Sequence, residues 1–182
     1  SKIDASALTG NIGVNYRPTL NTTLRAVFST GFRAPNIDDI GKIFESEPGS
    51  VVIPNPDLEH EYAYNGEIGI TQRIGKFAKI DVSAFYTDLK NALVRRDFTL
   101  NGQDSIIYAG EMSQVQAIQN AAKAYAYGFE ANLEVYFTNQ LMLRSSVNYQ
   151  KGEEELDNGD TAPLRHIAPL LVRAGIQYQT KK

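Results

Sequence analysis

Side chains able to do chemistry are sparse in these 182 residues, and they do not cluster. The two histidines, His60 and His166, lie too far apart in sequence to sketch a metal or haem site, whose ligands recur at short spacings. There is no Cys, so neither thiolate chemistry nor a disulfide framework is available. That suits an oxidising, extracytoplasmic location without requiring one. Oxygen donors are better represented. Glu153, Glu154, Glu155, Asp157 and Asp160 surround an Asp-Asn-Gly-Asp run at 157–160 that can collect Ca²⁺, although a solvated acidic loop uses the same residues. Arg95 and Arg96 would attract an anionic ligand or snorkel along an apolar surface. No nucleophile–base pair, metal-ligand spacing or phosphate-binding loop is present, so neither an enzyme nor a cofactor is expected. The formal net charge is −3, and no basic stripe is available to neutralise phosphates, which argues against nucleic acid as a partner.

The elements that must carry these side chains are strands. No apolar window of about 18 residues exists, so no membrane-spanning helix is encoded, a fact that says nothing about barrels. The dominant pattern is period-two alternation. Leu24, Ala26, Phe28, Thr30 and Phe32 alternate with Arg25, Val27, Ser29 and Arg33. Tyr125, Tyr127, Phe129, Ala131, Leu133 and Val135 alternate with Gly128, Glu130, Asn132 and Glu134. The pattern predicts about seven strands, near 5–17, 22–33, 60–73, 77–96, 121–137, 141–151 and 166–179. Several reach the roughly 9–11 residues needed to cross a bilayer at a tilt. Tight turns are predicted at 17–22, 74–76 and 138–140, and long polar outer loops near 34–59, 97–120 and 152–165. Segment 111–123 holds good helix formers around Val115 and Ile118 and is expected to be loop with at most a helical turn.

Short turns at one end and long loops at the other describe an up-and-down barrel. The tyrosines choose between its two possible environments. Tyr16, Tyr62, Tyr64, Tyr86, Tyr125, Tyr127, Tyr149 and Tyr178 all fall on the apolar face, near strand ends, and are eight of the ten in the chain. Aliphatic residues such as Ile68, Ile70, Val82 and Val135 fill the middles. A phenol ring prefers its body in hydrocarbon and its hydroxyl among headgroups, so this is the layout of an aromatic girdle. The opposite face carries Arg25, Glu67, Asp81, Glu130, Glu134, Arg144 and Arg173, as a wet or filled lumen allows. A soluble β-sandwich with Tyr at the rim of its core is the alternative.

At 29–36 the chain reads STGFRAPN, followed by IDDIGKIFES and, at 54–69, PNPDLEHEYAYNGEIG. This series resembles the barrel of TonB-dependent outer-membrane receptors. In them a strand ends in Gly-Phe-Arg-Ala-Pro, here Gly31, Phe32, Arg33, Ala34 and Pro35. An Asn-Pro-x-Leu-x-x-Glu run then opens the next strand, here Asn55, Pro56, Leu58 and Glu61. AFYTDLKNAL at 84–93 and QNAAKAYAYGFEANLEVYF at 119–137 continue the resemblance in order. The fold implied is all-β, an antiparallel transmembrane barrel of roughly 22 strands of which this chain supplies about seven. The motif is expected to be structural, since Pro at a strand exit removes a donor and ends pairing. The chain starts at Ser1 without Met or a signal peptide and ends QYQTKK rather than in an aromatic residue. It is therefore expected to be a piece, residues 1–182 of a barrel domain whose lumen-filling plug lies elsewhere. The resemblance implies uptake of a scarce nutrient, a ferric siderophore or haem first among them. It also implies a TonB-type inner-membrane complex acting through the plug, and contacts with outer-membrane lipid and lipopolysaccharide. A passive porin or an adhesin barrel is the competing function.

Overall fold

The alternating segments become one antiparallel meander. The computed structural model describes residues 7–121, 123–156, 159–164, 167 and 170–180. In chain order the elements are β1 (Asn11–Thr19), β2 (Thr22–Arg33), α1 (Ile37–Gly41), β3 (Phe44–Glu47), β4 (Ser50–Ile53), β5 (Glu61–Ile74), β6 (Ala78–Lys90), β7 (Ala92–Asp97), β8 (Ser105–Tyr108), β9 (Glu111–Ala121), β10 (Ala124–Tyr136), β11 (Leu141–Glu155), β12 (Thr161–Pro163) and β13 (Leu170–Tyr178). The larger sheet runs β1-β2-β5-β6-β10-β11, with β12 and β13 both pairing β11. Its seven long strands measure 9 to 15 residues.

The register explains why the faces separate. Ala26, Ile68, Ala84, Phe129, Tyr149 and Leu170 stand side by side across six strands. One residue along, Arg25, Gly69, Ser83, Glu130 and Asn148 form the neighbouring row. A one-residue slip would invert every strand between these faces. The apolar face has no protein cover: Ile68 is 67% exposed and Ile176 74%. A sandwich would bury those side chains against a second sheet. Exposed apolar surface of this extent belongs to a barrel wall facing lipid. Stacked tyrosines border it, with Tyr86 and Tyr125 ring centroids 6.0 Å apart and Tyr125 and Tyr127 6.3 Å apart.

Several elements differ from the sequence reading. The tight turn expected over 17–22 is only Leu20–Asn21 wide, because β1 runs on to Thr19 and β2 starts at Thr22. The strand expected over 77–96 is broken at Asn91, whose φ of 53° turns the chain out of the wall. A left-handed Asn is tolerated there because its short side chain bonds locally. Segments 34–59 and 97–120 are not plain loops. With β7, the end of the 77–96 run beyond Asn91, they fold into a second, five-stranded sheet, β3-β4-β9-β7 with β8 also on β9. The segment 111–123 forms β9 rather than a helical turn. Ser113 and Val115 are buried while Met112 and Gln114 are exposed, a strand period that the small and polar residue types conceal, and Gln116 and Ala117 beyond them are both buried. The main buried cluster is here: Val51, Ile53, Val115 and Ala117, flanked by Phe98, Leu100, Ile106 and Tyr108. The strand expected over 141–151 extends to Glu155. The expected strand starts at residues 5 and 6, and residues 166, 168 and 169 of the last one, lie outside the described residues.

Candidate functional site

The motif residues meet at the end of the wall that bears the second sheet. Gly31, Phe32 and Arg33 finish β2 opposite Ala63, Tyr62 and Glu61 of β5. Ala34 follows, and then Pro35, which is buried and supplies no N–H where the ladder ends. The second half of the motif bonds outward into the upper sheet. The Asn55 Nδ2 donates to the Ile118 carbonyl at 2.9 Å, while its Oδ1 accepts from the Asp57 N–H at 3.2 Å and closes the Pro56 turn. The Glu61 Oε2 accepts the Leu93 N–H at 2.9 Å, just past the break at Asn91. Leu58 is half-buried beside them.

Three residues not singled out from sequence complete this latch. Asn120 accepts the Glu59 N–H at 2.8 Å and donates to the carbonyls of Glu59, at 3.0 Å, and Asn91, at 2.8 Å. The Asn91 Nδ2 donates to Glu59 Oε2 at 2.7 Å. An Asn at the end of a long alternating run was the available signal for Asn91; nothing local marks Asn120 or Glu59.

Beneath the latch a cavity of about 460 Å³ opens, lined by Arg33, Glu61, Leu89, Leu93, Arg95 and Glu154 among others. It brings Arg33 and Arg95 to one mostly apolar hollow. Arg96, its neighbour on β7, instead donates to the Glu155 carbonyl. His60 packs edge-on between Phe32 and Tyr62, at ring separations of 5.6 and 5.2 Å. Of the acids read as a possible Ca²⁺ loop, Glu153, Glu154 and Glu155 lie on the extension of β11 rather than in a loop. Glu153 pairs with Lys151 and accepts the Tyr125 hydroxyl, and Glu155 pairs with Lys123 at 3.8 Å. Among the described residues no three His, Asp or Glu side chains are grouped to hold a metal ion. Asp157 and His166 lie outside those residues.

Farther down, the polar face is tied by one guanidinium. Arg25 grips Asp81 with both terminal nitrogens, at 3.1 and 3.0 Å, and reaches Glu67 at 3.5 Å and Thr71 at 3.4 Å. Thr71 also donates to Asp81. The bond crosses β5 because Gly69 lies beneath it: a Cβ there would come within 2.8 Å of the guanidinium. Gly128 has a similar part on β10. A Cβ would overlap the Tyr149 carbonyl oxygen and come within 2.9 Å of the Phe85 ring.

A family profile described as TonB dependent receptor-like, beta-barrel matches residues 1–182. The chain belongs to that family. It is 29% identical over 162 residues to the iron-regulated outer membrane virulence protein of Vibrio cholerae, covering 87% of this chain and 24% of that protein. It is also 29% identical over 171 residues to the hemoglobin-haptoglobin utilization protein B of Neisseria meningitidis, covering 86% and 21%. Its fold matches the crystal structure of the siderophore receptor PirA from Acinetobacter baumannii with a TM-score of 0.69 and 18% identity, over 95% of this chain and 26% of that one. This barrel segment thus spans about a quarter of the length of such relatives. They are receptors, not enzymes, and the segment is a partial outer-membrane β-barrel wall, as the alternating faces and the 29–69 motif series implied.

Proposed function

We propose that the full-length protein is an outer-membrane active-transport receptor that captures an iron compound, a ferric siderophore or haem, and imports it with energy from a TonB-type inner-membrane complex. Family membership over the whole segment carries this reading. The names of the relatives, which include haemoglobin and siderophore receptors, support iron over other cargo. In this reading the segment is a multi-pass portion of the wall: its apolar face meets lipid, its aromatic border meets lipopolysaccharide headgroups, and its polar face surrounds a plug. Residues 31–35 and 55–61 act as the latch that seats the upper sheet on the wall.

Growth decides it. A strain lacking the gene should fail on one defined source, ferric siderophore or haem, as sole iron, while growing normally on ferrous salt. Loss of TonB should reproduce the defect. Uptake that persists without TonB would make the protein a passive porin instead.

A further inference from the structure

Three Asn-Gly pairs occur in the chain, at 65–66, 101–102 and 158–159. The dipeptide has a chemistry of its own. An Asn side-chain amide is an electrophile, and the backbone nitrogen of the next residue can reach it to close a five-membered ring. Glycine in that place carries no Cβ to obstruct the approach, and Asn counts accordingly among the thermolabile residues. Whether a given pair reacts depends on how freely its backbone rotates and how readily water enters.

The fold treats the pairs differently. Asn65 and Gly66 lie within β5, opposite Ser29 and Phe28 of β2 on one side and Thr87 and Tyr86 of β6 on the other. The Asn65 Oδ1 also accepts the Thr87 hydroxyl at 2.8 Å, so rotation there must disturb two ladders at once. Asn158 lies outside the described residues, and the Gly159 N–H donates to the Leu156 carbonyl at 2.9 Å. Asn101 and Gly102 instead form the two-residue tip of a turn between Leu100 and Gln103, whose mutual hydrogen bonds measure 2.9 and 3.0 Å. Their φ angles of 53° and 79° are those of a tight turn with two left-handed residues. Both are exposed, and a Cβ on Gly102 would meet nothing within 4 Å. Among the described residues, neither the Asn101 side chain nor the Gly102 N–H has a hydrogen-bond partner. Rotation about the Asn101 Cα–C bond therefore costs at most the two turn bonds, a local opening in open solvent.

We propose that Asn101–Gly102 is a site of spontaneous covalent modification, at which the side-chain amide is lost and an acid takes its place. The Gly102 nitrogen bonds to the Asn101 Cγ, and the amide nitrogen leaves as ammonia, carrying the proton that the Gly102 nitrogen gives up. Water then opens the cyclic imide. Attack at the former side-chain carbonyl restores the backbone as aspartate. Attack at the Asn101 main-chain carbonyl leaves the backbone running through the side chain, as isoaspartate. Water is the sole co-reactant, and nothing is oxidised or reduced. Either product sets a new negative charge close to Asp104, and isoaspartate adds a methylene to the backbone of a two-residue turn. The turn joins two segments that clamp β9: the Phe98 N–H donates to the Val115 carbonyl at 2.9 Å, and the Val115 N–H donates to the Asp104 carbonyl at 2.8 Å. Phe98 and Leu100 also pack on the buried cluster of the upper sheet. The modification is thus a slow clock that loosens one edge of the upper sheet and spares the wall.

The test is peptide mapping by mass spectrometry on the purified full-length receptor, folded in detergent and aged at neutral and at mildly alkaline pH. The peptide holding Asn101 should convert to both acid forms, and faster at the higher pH, because the attacking nitrogen must shed its proton. The peptide holding Asn65 serves as the control within the same molecule and should lag by at least roughly tenfold. In receptor unfolded in urea the two should convert at comparable rates, which shows that the fold and not the dipeptide makes the difference. Asn101→Gln, which would need a six-membered ring, should abolish conversion in its peptide. The aged wild type should also exchange amide hydrogens faster across 98–104, and aged Asn101→Gln should not. A folded receptor whose Asn101 stays intact under conditions that convert the unfolded chain would overturn the site. Equal conversion of Asn65 and Asn101 in the folded receptor would overturn its structural basis, and unchanged exchange in converted protein would overturn the loosening of the sheet. The comparison of Asn65 with Asn101 needs no variant to fold.

Discussion

Single side chains set how firmly the upper sheet is held. Asn120 makes three hydrogen bonds to the Glu59 and Asn91 backbones, so Asn120→Ala leaves an N–H and two carbonyls short of partners. Each such loss typically costs about 1–3 kcal/mol. The expected outcome is faster hydrogen exchange and proteolysis within 50–53 and 111–121, with the wall still resistant to both; unchanged protection there would remove the latch role. Gly128 offers a second check. Gly128→Ala must push β10 off the Tyr149 carbonyl, and a cost of a few kcal/mol is typical of overpacking. Gly175→Ala, where a Cβ meets nothing within 4 Å, should fold as wild type. Urea unfolding of the barrel in detergent, followed by gel mobility, separates the two.

At the scale of elements, the two faces make opposite demands. Ile68 lies in mid-strand on the bare apolar face, and a cation at mid-bilayer costs about 2–4 kcal/mol. Ile68→Arg should therefore lower folding yield sharply. Asn148→Lys, across the ladder from Glu130, should leave yield unchanged; equal losses for both would contradict the assignment of faces. These faces were legible in the sequence because alternation over 9 to 15 residues is a strong local signal. The second sheet was not. Its central strand buries Ser113 and Gln116 along with Val115 and Ala117, so residue type hides the period. Its pairing with β4 joins segments with no local relation: Asn55 and Ile118, bonded to each other, are 63 positions apart. The motif was legible as a series, whereas its partners Asn91 and Asn120 became visible only once the chain had turned at Asn91.

For the molecule as a whole, the wall has two open sides. β1 and β13 end the sheet and are exposed along their full length; in water such edges template pairing with other copies, and the bare apolar face drives association. In detergent-free buffer the segment should sediment as aggregates rather than a monomer; a well-folded monomer by analytical ultracentrifugation would contradict the membrane orientation. The upper sheet has a different bearing on the exterior. β4 arises between β2 and β5 and β9 between β6 and β10, yet they pair in parallel through Ser50–Ile53 and 114–117. Two excursions from separate hairpins are thus stitched into one mechanical piece, while the Ala109–Gly110 bend stands clear at its tip with φ of 51° and 93°. An affinity peptide grafted into that bend should be displayed without disturbing the receptor, and one grafted between Val51 and Val52 should unravel both excursions together. Antibodies raised against the folded surface would accordingly read residues from both excursions at once, and neither excursion, as a free peptide, would compete for them.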